Sequence, residues 1–140
     1  MNKKIILLIL IALALMAGVF VWMEFNRGLS GAEEMPVKEQ VSASVLLEAF
    51  QTDEAGATAR FVGTTEQVVQ VHGTVRAVEA SAPGSMNVVL STDDDMAGVV
   101  CEFREGDVPA EWKAGMEVSI KGICTGMLLD VILVRCAAVQ

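Results

Sequence analysis

The 140-residue sequence has no tyrosine and a single histidine, His72. Acid–base catalysis near neutral pH draws on histidine first and on tuned carboxylates, lysine or tyrosine next. No nucleophile–base pair, glycine-rich phosphate loop or close carboxylate pair in a cleft can be assembled from what remains. The chain therefore reads as a non-enzyme that needs no cofactor. Aromatic residues make up only 5% of it, too few for the platforms on which single-stranded bases stack. Basic residues are scarce as well. From residue 28 onward, seven Lys and Arg face seventeen Asp and Glu, a formal charge of about −10. Nucleic-acid binders gain affinity by neutralising phosphates, and no basic patch is visible here. The three cysteines, Cys101, Cys124 and Cys136, form no C-x-x-C and no Cys/His spacing, so a zinc site has no support.

What the sequence does have is a long apolar run. Ile5 to Met23 carries no charge. As a helix it would be roughly 28 Å long, against a hydrocarbon core of about 30 Å. Trp22 and Phe25 sit at its end, where aromatic side chains favour the membrane interface. A cleaved signal peptide would need a shorter run and a polar stretch before a small-x-small site. Ala12-Leu13-Ala14 has the small residues, but apolar sequence continues for nine more positions. No cysteine follows the run to carry a lipid. The reading is an uncleaved signal anchor over residues 1–25, with cleavage as the rival. Lys3, Lys4 and the α-amino group precede it, which puts the N-terminus in the cytoplasm and the rest outside. In a bacterium that means a single-pass membrane protein with a periplasmic domain.

Residues 26–41, with Gly28, Gly31 and Pro36, read as a linker, and 42–140 as the folded domain. Ser42 is a candidate N-cap for a helix from Ala43 that carries Val45, Leu46, Ala49 and Phe50 and runs towards Arg60. From Glu66 the period changes to two. Val69, Val71 and Val75 fall on one face; Gln70, His72, Thr74 and Arg76 fall on the other. Gly73 signals a bulge or sharp coil. Pro83-Gly84 make a turn. Further strands are expected at 86–90, 98–105, 116–124 and 129–139, with a short helix over 108–113 capped by Asp107 and a turn at Thr125-Gly126. Five strands, the first interrupted by glycine, with a helical element between the third and fourth, predict a mainly β fold. It is a five-stranded OB-fold barrel preceded by one α-helix.

Several short motifs extend that reading. Val71-x-Gly73-x-Val75 is followed by Cys101-x-Phe103. Then come Gly115-x-x-Val118-x-Ile120-Lys121-Gly122-x-Cys124-x-Gly126 and Asp130-Val131-x-Leu133-x-x-Cys136. Their order and spacing, after a helix with Leu47, Ala49, Phe50, Asp53 and Glu54, resemble the tRNA_anti-like proteins. These are small bacterial membrane-anchored or lipoprotein OB domains of unassigned activity. The resemblance runs from Ser42 to the end. It implies the fold, and nucleic-acid binding only by name.

The candidate sites each have a plain structural reading beside the functional one. His72, on the polar face of a strand, reads as an exposed residue rather than a haem ligand. The OB-barrel haem chaperone of cytochrome c maturation carries its histidine near a tyrosine, which this chain lacks. Asp93, Asp94 and Asp95 read as a solvated loop, because calcium loops alternate their ligands and include glycine. Asp130 reads as a partner for turn backbone, Phe103 as core, and Trp112 as packing on the barrel. In an OB barrel the third and fifth strands are parallel, which brings Cys101 near Cys124. Two readings stay open: a Cys101–Cys124 disulfide with Cys136 free, or three small core residues. The functional expectation is a membrane-tethered, extracytoplasmic, non-catalytic module that binds a protein or small ligand. Binding of nucleic acid or oligosaccharide is the alternative.

Overall fold

A computed structural model of the chain describes residues 2–26 and 31–140. They fall into two compact units, divided between Ser30 and Gly31. Arg27 and Gly28, in the expected linker, lie outside the described residues. The first unit is helix α1, Lys3–Asn26. Within Lys3–Glu24 an 18-residue window reaches a mean hydropathy of 3.0, and none of that window is buried. Ile5, Leu8, Leu15 and Phe20 are all exposed. A helix without a polar face is matched to lipid rather than to the boundary between core and water. This one is long and apolar enough to cross a membrane.

The second unit opens with strand β1 (Val37–Ser42), helix α2 (Ala43–Thr52), a short helix α3 (Glu54–Ala57) and a π-helical turn at Thr58–Val62. Five strands follow: β2 (Val68–Ala82), β3 (Ser85–Leu90), β4 (Val99–Arg104), β5 (Glu117–Met127) and β6 (Val131–Ala138). Ladder order is β1-β2-β3-β4-β6-β5, and β2 also pairs with β5. That pairing closes β2 to β6 into a five-stranded barrel of OB type, with β1 as an extra strand. Strands β4 and β6 run parallel, Val99 opposite Val131, as the expected topology requires.

Length lets β2 serve two neighbours. Residues 68–74 pair with β5 and residues from Val75 onward with β3. The changeover falls beside Gly73, where a Cβ would lie 3.1 Å from that of Ala43 and 3.6 Å from that of Leu90. Glycine thus admits the start of α2 against the coiling strand. The register shift itself comes later, between Val75 and Ala77. Alternation fills the interior: Val71, Val75, Val88, Leu90, Phe103, Ile120 and Leu133 are all at most 1% exposed. Phe103 is core, as expected.

Helix α2 begins where the sequence places it. Ser42 adopts extended backbone, and its hydroxyl accepts a bond from the Val45 amide at 3.2 Å. The buried stripe is Ala43, Leu46, Leu47 and Phe50, at i, i+3, i+4 and i+7. Val45, expected on it, is 49% exposed. Asp53 interrupts the helix and caps the next one, its Oδ1 accepting from the Gly56 amide at 3.0 Å. A Cβ at Gly56 would collide with that carboxylate. The π-helical turn then delivers Phe61, fully buried, to a tilted contact with Phe50 at 6.1 Å between centroids.

Three expectations differ from the structure. The linker over 26–41 is overturned in its second half, because 37–42 is a strand lying parallel to β2, from Val37 opposite Val68 to Ser42 opposite His72. Ala32 is buried with Val68 and Ile123, and its amide donates to the Arg135 carbonyl at 3.1 Å. The ladder offered by β2 overrides a polar local sequence. The short helix over 108–113 does not form. Separate i to i+3 turns link Arg104 to Asp107, Pro109 to Trp112 and Lys113 to Met116. A segment this short bears the nucleation penalty with too little propagation to offset it. The turn at Thr125-Gly126 is a bulge instead. Gly126 has φ +123° beside a register shift, β5 continues to Met127, and the chain reverses at residues 128–130.

Candidate functional site

Strand pairing gathers the three cysteines inside the barrel. Leu133 lies opposite Cys101 on one side and Cys124 on the other. Cys136, three residues on, turns inward past a register shift in β6 where Arg135 has φ +51°. All three are buried and are free thiols. The Cys101–Cys124 disulfide is therefore not present in this structure. Cys136, expected as the odd residue, lies near enough to the Cys101 thiol to be raised by it. Burial pushes the Cys124 thiol up to about 11; the Gly126 backbone pulls it down and Cys101 pushes it up. Cys136 is also raised, by burial first and then by Cys101. Gly122 leaves room for this group: a Cβ there would sit 2.6 Å from the Cys136 sulfur and 2.9 Å from Leu133 Cβ. High thiol pKa values and closed packing describe inert core residues, not nucleophiles. Among the described residues, no group of three or more His, Cys, Asp or Glu could hold a metal ion.

His72 is exposed on β2, opposite Ser119 of β5 and Ser42 of β1. The acidic loop after β3 is more ordered than a solvated loop need be. Asp94 Oδ1 accepts from the Met96 amide at 2.8 Å, and Asp94 Oδ2 accepts from Gln51 Nε2 at 3.0 Å. The Met96 and Gln51 bonds hold the Asp94 carboxyl below the usual range. The Thr92 hydroxyl donates to the Ala97 carbonyl at 2.6 Å, and Arg76 donates to the Asp94 and Ala97 carbonyls. Asp130 bonds turn backbone as expected. The turn belongs to the neighbouring loop: Asp130 Oδ1 accepts from the Gly98 amide at 2.7 Å, and the Val131 amide donates to the Gly98 carbonyl at 3.1 Å.

Aromatic side chains of the second unit point into the core or rest on it. Phe50, Phe61 and Phe103 are buried, and Trp112 packs edge-on against Phe103 at 6.0 Å. Trp112 packs as expected without its helix. No stacking platform exists among the described residues of the barrel. An open pocket of about 920 Å³ lies between β1, the helical segment and the loop before β2. Lys38, Glu54, Thr58, Thr64, Thr65 and Gln67 supply its polar lining. No local pattern points to it, because Lys38 lies in the stretch read as linker.

The sequence profile of the tRNA_anti-like family matches residues 1–138. A lipoprotein from Klebsiella pneumoniae subsp. pneumoniae, provisionally described as nucleic-acid-binding, has the same fold, with a TM-score of 0.56. Its identity is 18%, over 72% of this chain and 92% of its own. Two OBodies solved bound to hen egg-white lysozyme also match. AM1L10 has a TM-score of 0.40 at 21% identity, over 59% of this chain and 90% of its own. AM3L09 has 0.37 at 20%, over 53% and 82%. No protein of curated function matches the sequence. With the barrel, its preceding helix and the profile match over nearly the whole length, the chain belongs to the tRNA_anti-like family.

Proposed function

We propose that this protein is a membrane-tethered binding module whose OB barrel stands outside the cytoplasm and engages a protein or small ligand without catalysis. One observation carries the reading: the domain is strongly acidic and spends its aromatic residues on its own core. Such a surface repels phosphates and offers bases nothing to stack on. Helix α1 supplies the tether, and Lys3 and Lys4 before it favour a cytoplasmic N-terminus. The polar pocket beside β1 suits a small hydrophilic ligand.

Oligonucleotide or oligosaccharide binding is the second reading, and the description of the Klebsiella lipoprotein favours its first branch. Titration of the full-length protein, in detergent, into labelled single-stranded DNA and RNA at low salt separates the two. The module reading expects no saturable binding. Binding that weakens steeply with added salt would install the second reading instead. A glycan array tests the sugar branch.

A further inference from the structure

Large apolar side chains are rare in tight reversals, which favour Gly, Asn, Asp, Ser and Pro for backbone reasons. The reversal between β5 and β6 is Leu128-Leu129-Asp130, and its two leucines are 83% and 82% exposed. The loop before β4 carries Met96 at 89% exposure. These are the three most exposed large apolar residues described outside α1. They belong to neighbouring loops. Because β4 and β6 are parallel and start level, both loops sit at one end of the barrel. The Gly98–Asp130 and Val131–Gly98 bonds join them.

Both loops are held rather than loose. Asp94, Thr92, Arg76 and the Gly98–Asp130 bond fix the chain on either side of Met96. A further bond, from the Asp93 amide to Ser44 Oγ at 3.2 Å, ties this loop to α2. An apolar side chain displayed on a braced loop is pre-organised for contact, and its ordering cost is already met within the fold. Methionine also adapts its shape to varied partners.

We infer that Met96, Leu128 and Leu129 form a docking site for a basic amphipathic segment of a partner protein. This rests on the protein-binding reading above. Charge selects the occupant. Asp93 and Asp95 are exposed beside Met96, Asp130 adjoins Leu129, and Arg76, the cation at this loop, is engaged with carbonyls. Large apolar side chains flanked by Lys or Arg complement that surface. A second copy of this chain would bring like charge against it. A membrane surface is commonly anionic, and interfacial anchors use Trp, Tyr, Lys and Arg, none of which the two loops contain.

The test places a photoreactive phenylalanine at Met96 or at Leu129 in the full-length protein, in the cells that make it. Control positions are Glu111 and Thr65. Peptide mapping then identifies what each position captures. The site predicts crosslinks at 96 and 129, and none at 111, to one protein segment that mixes large apolar residues with Lys or Arg. Leu128→Ser should weaken the crosslink at 96 roughly tenfold, as loss of a central contact does. Asp93→Asn with Asp95→Asn should weaken it too, while thermal melting stays unchanged. Crosslinks to lipid, to a second copy of this chain, or to an acidic segment would overturn the inference. So would no crosslink at 96 and 129. Capture at Thr65 alone would leave the binding-module reading standing and remove only this site. Silence at every position would remove this site and the protein-binding form of the reading, leaving only a small ligand as its occupant.

Discussion

Burial sets the chemistry of the cysteines. With its thiol at about 11 against an ordinary 9.0, Cys124 carries about 100-fold less thiolate than a free cysteine at the same pH. Alkylation of the native protein at mildly alkaline pH should therefore be slow and should become fast in urea; rapid native labelling would show an open barrel. The same shift links to stability. A thiol raised in the folded state stabilises the fold fully below its unfolded pKa. That contribution is lost as pH climbs from about 9 through about 11. Urea midpoints should fall over that window, and Cys124→Ala should flatten the fall. Gly122→Ala forces a methyl group against the Cys136 sulfur and Leu133. The expected cost is about 1–3 kcal/mol, partly recovered with Cys136→Ala, since the two sites share one space. The sequence showed these cysteines as candidates for a bond. It could not show that β6 would place Cys136 beside Cys101.

At the scale of elements, local signals and tertiary ones separate cleanly. Ser42, the Pro83-Gly84 turn and the alternation in β2 act through neighbours in the chain, and each lies where the sequence places it. Strand β1 exists because β2 has a free ladder beside residues 68–72, a fact no local pattern carries. The opposite case is 108–113, where a cap residue and a proline predict a helix too short to propagate. The pocket and the exposed leucines likewise depend on tertiary pairing that no local pattern carries. Two substitutions probe the helical segment. Asp53→Ala removes the cap between α2 and α3 and should cost about 0.5–2 kcal/mol. Phe61→Ala empties a fully buried site against Phe50 and should cost about 3–5 kcal/mol. Chemical denaturation measures both; equal, negligible costs would mean that the segment does not pack on the barrel.

The whole molecule combines an apolar helix with an acidic barrel in which, among the described residues, the aromatic side chains are spent on the core. Composition alone revealed that division, since charge and hydropathy are sums over residues and survive errors in any one element. The proposed placement of the barrel outside the cytoplasm rests on the charge bias around α1, and the proposed partners rest on that placement. The native thiols are buried, so a cysteine added at exposed Lys113 reports position against a low background. In spheroplasts, Lys113→Cys should react with a membrane-impermeant maleimide, in a full-length 14.9 kDa chain that stays with the membrane fraction. Labelling only after lysis, or recovery of the full-length chain in the soluble fraction, would contradict the account.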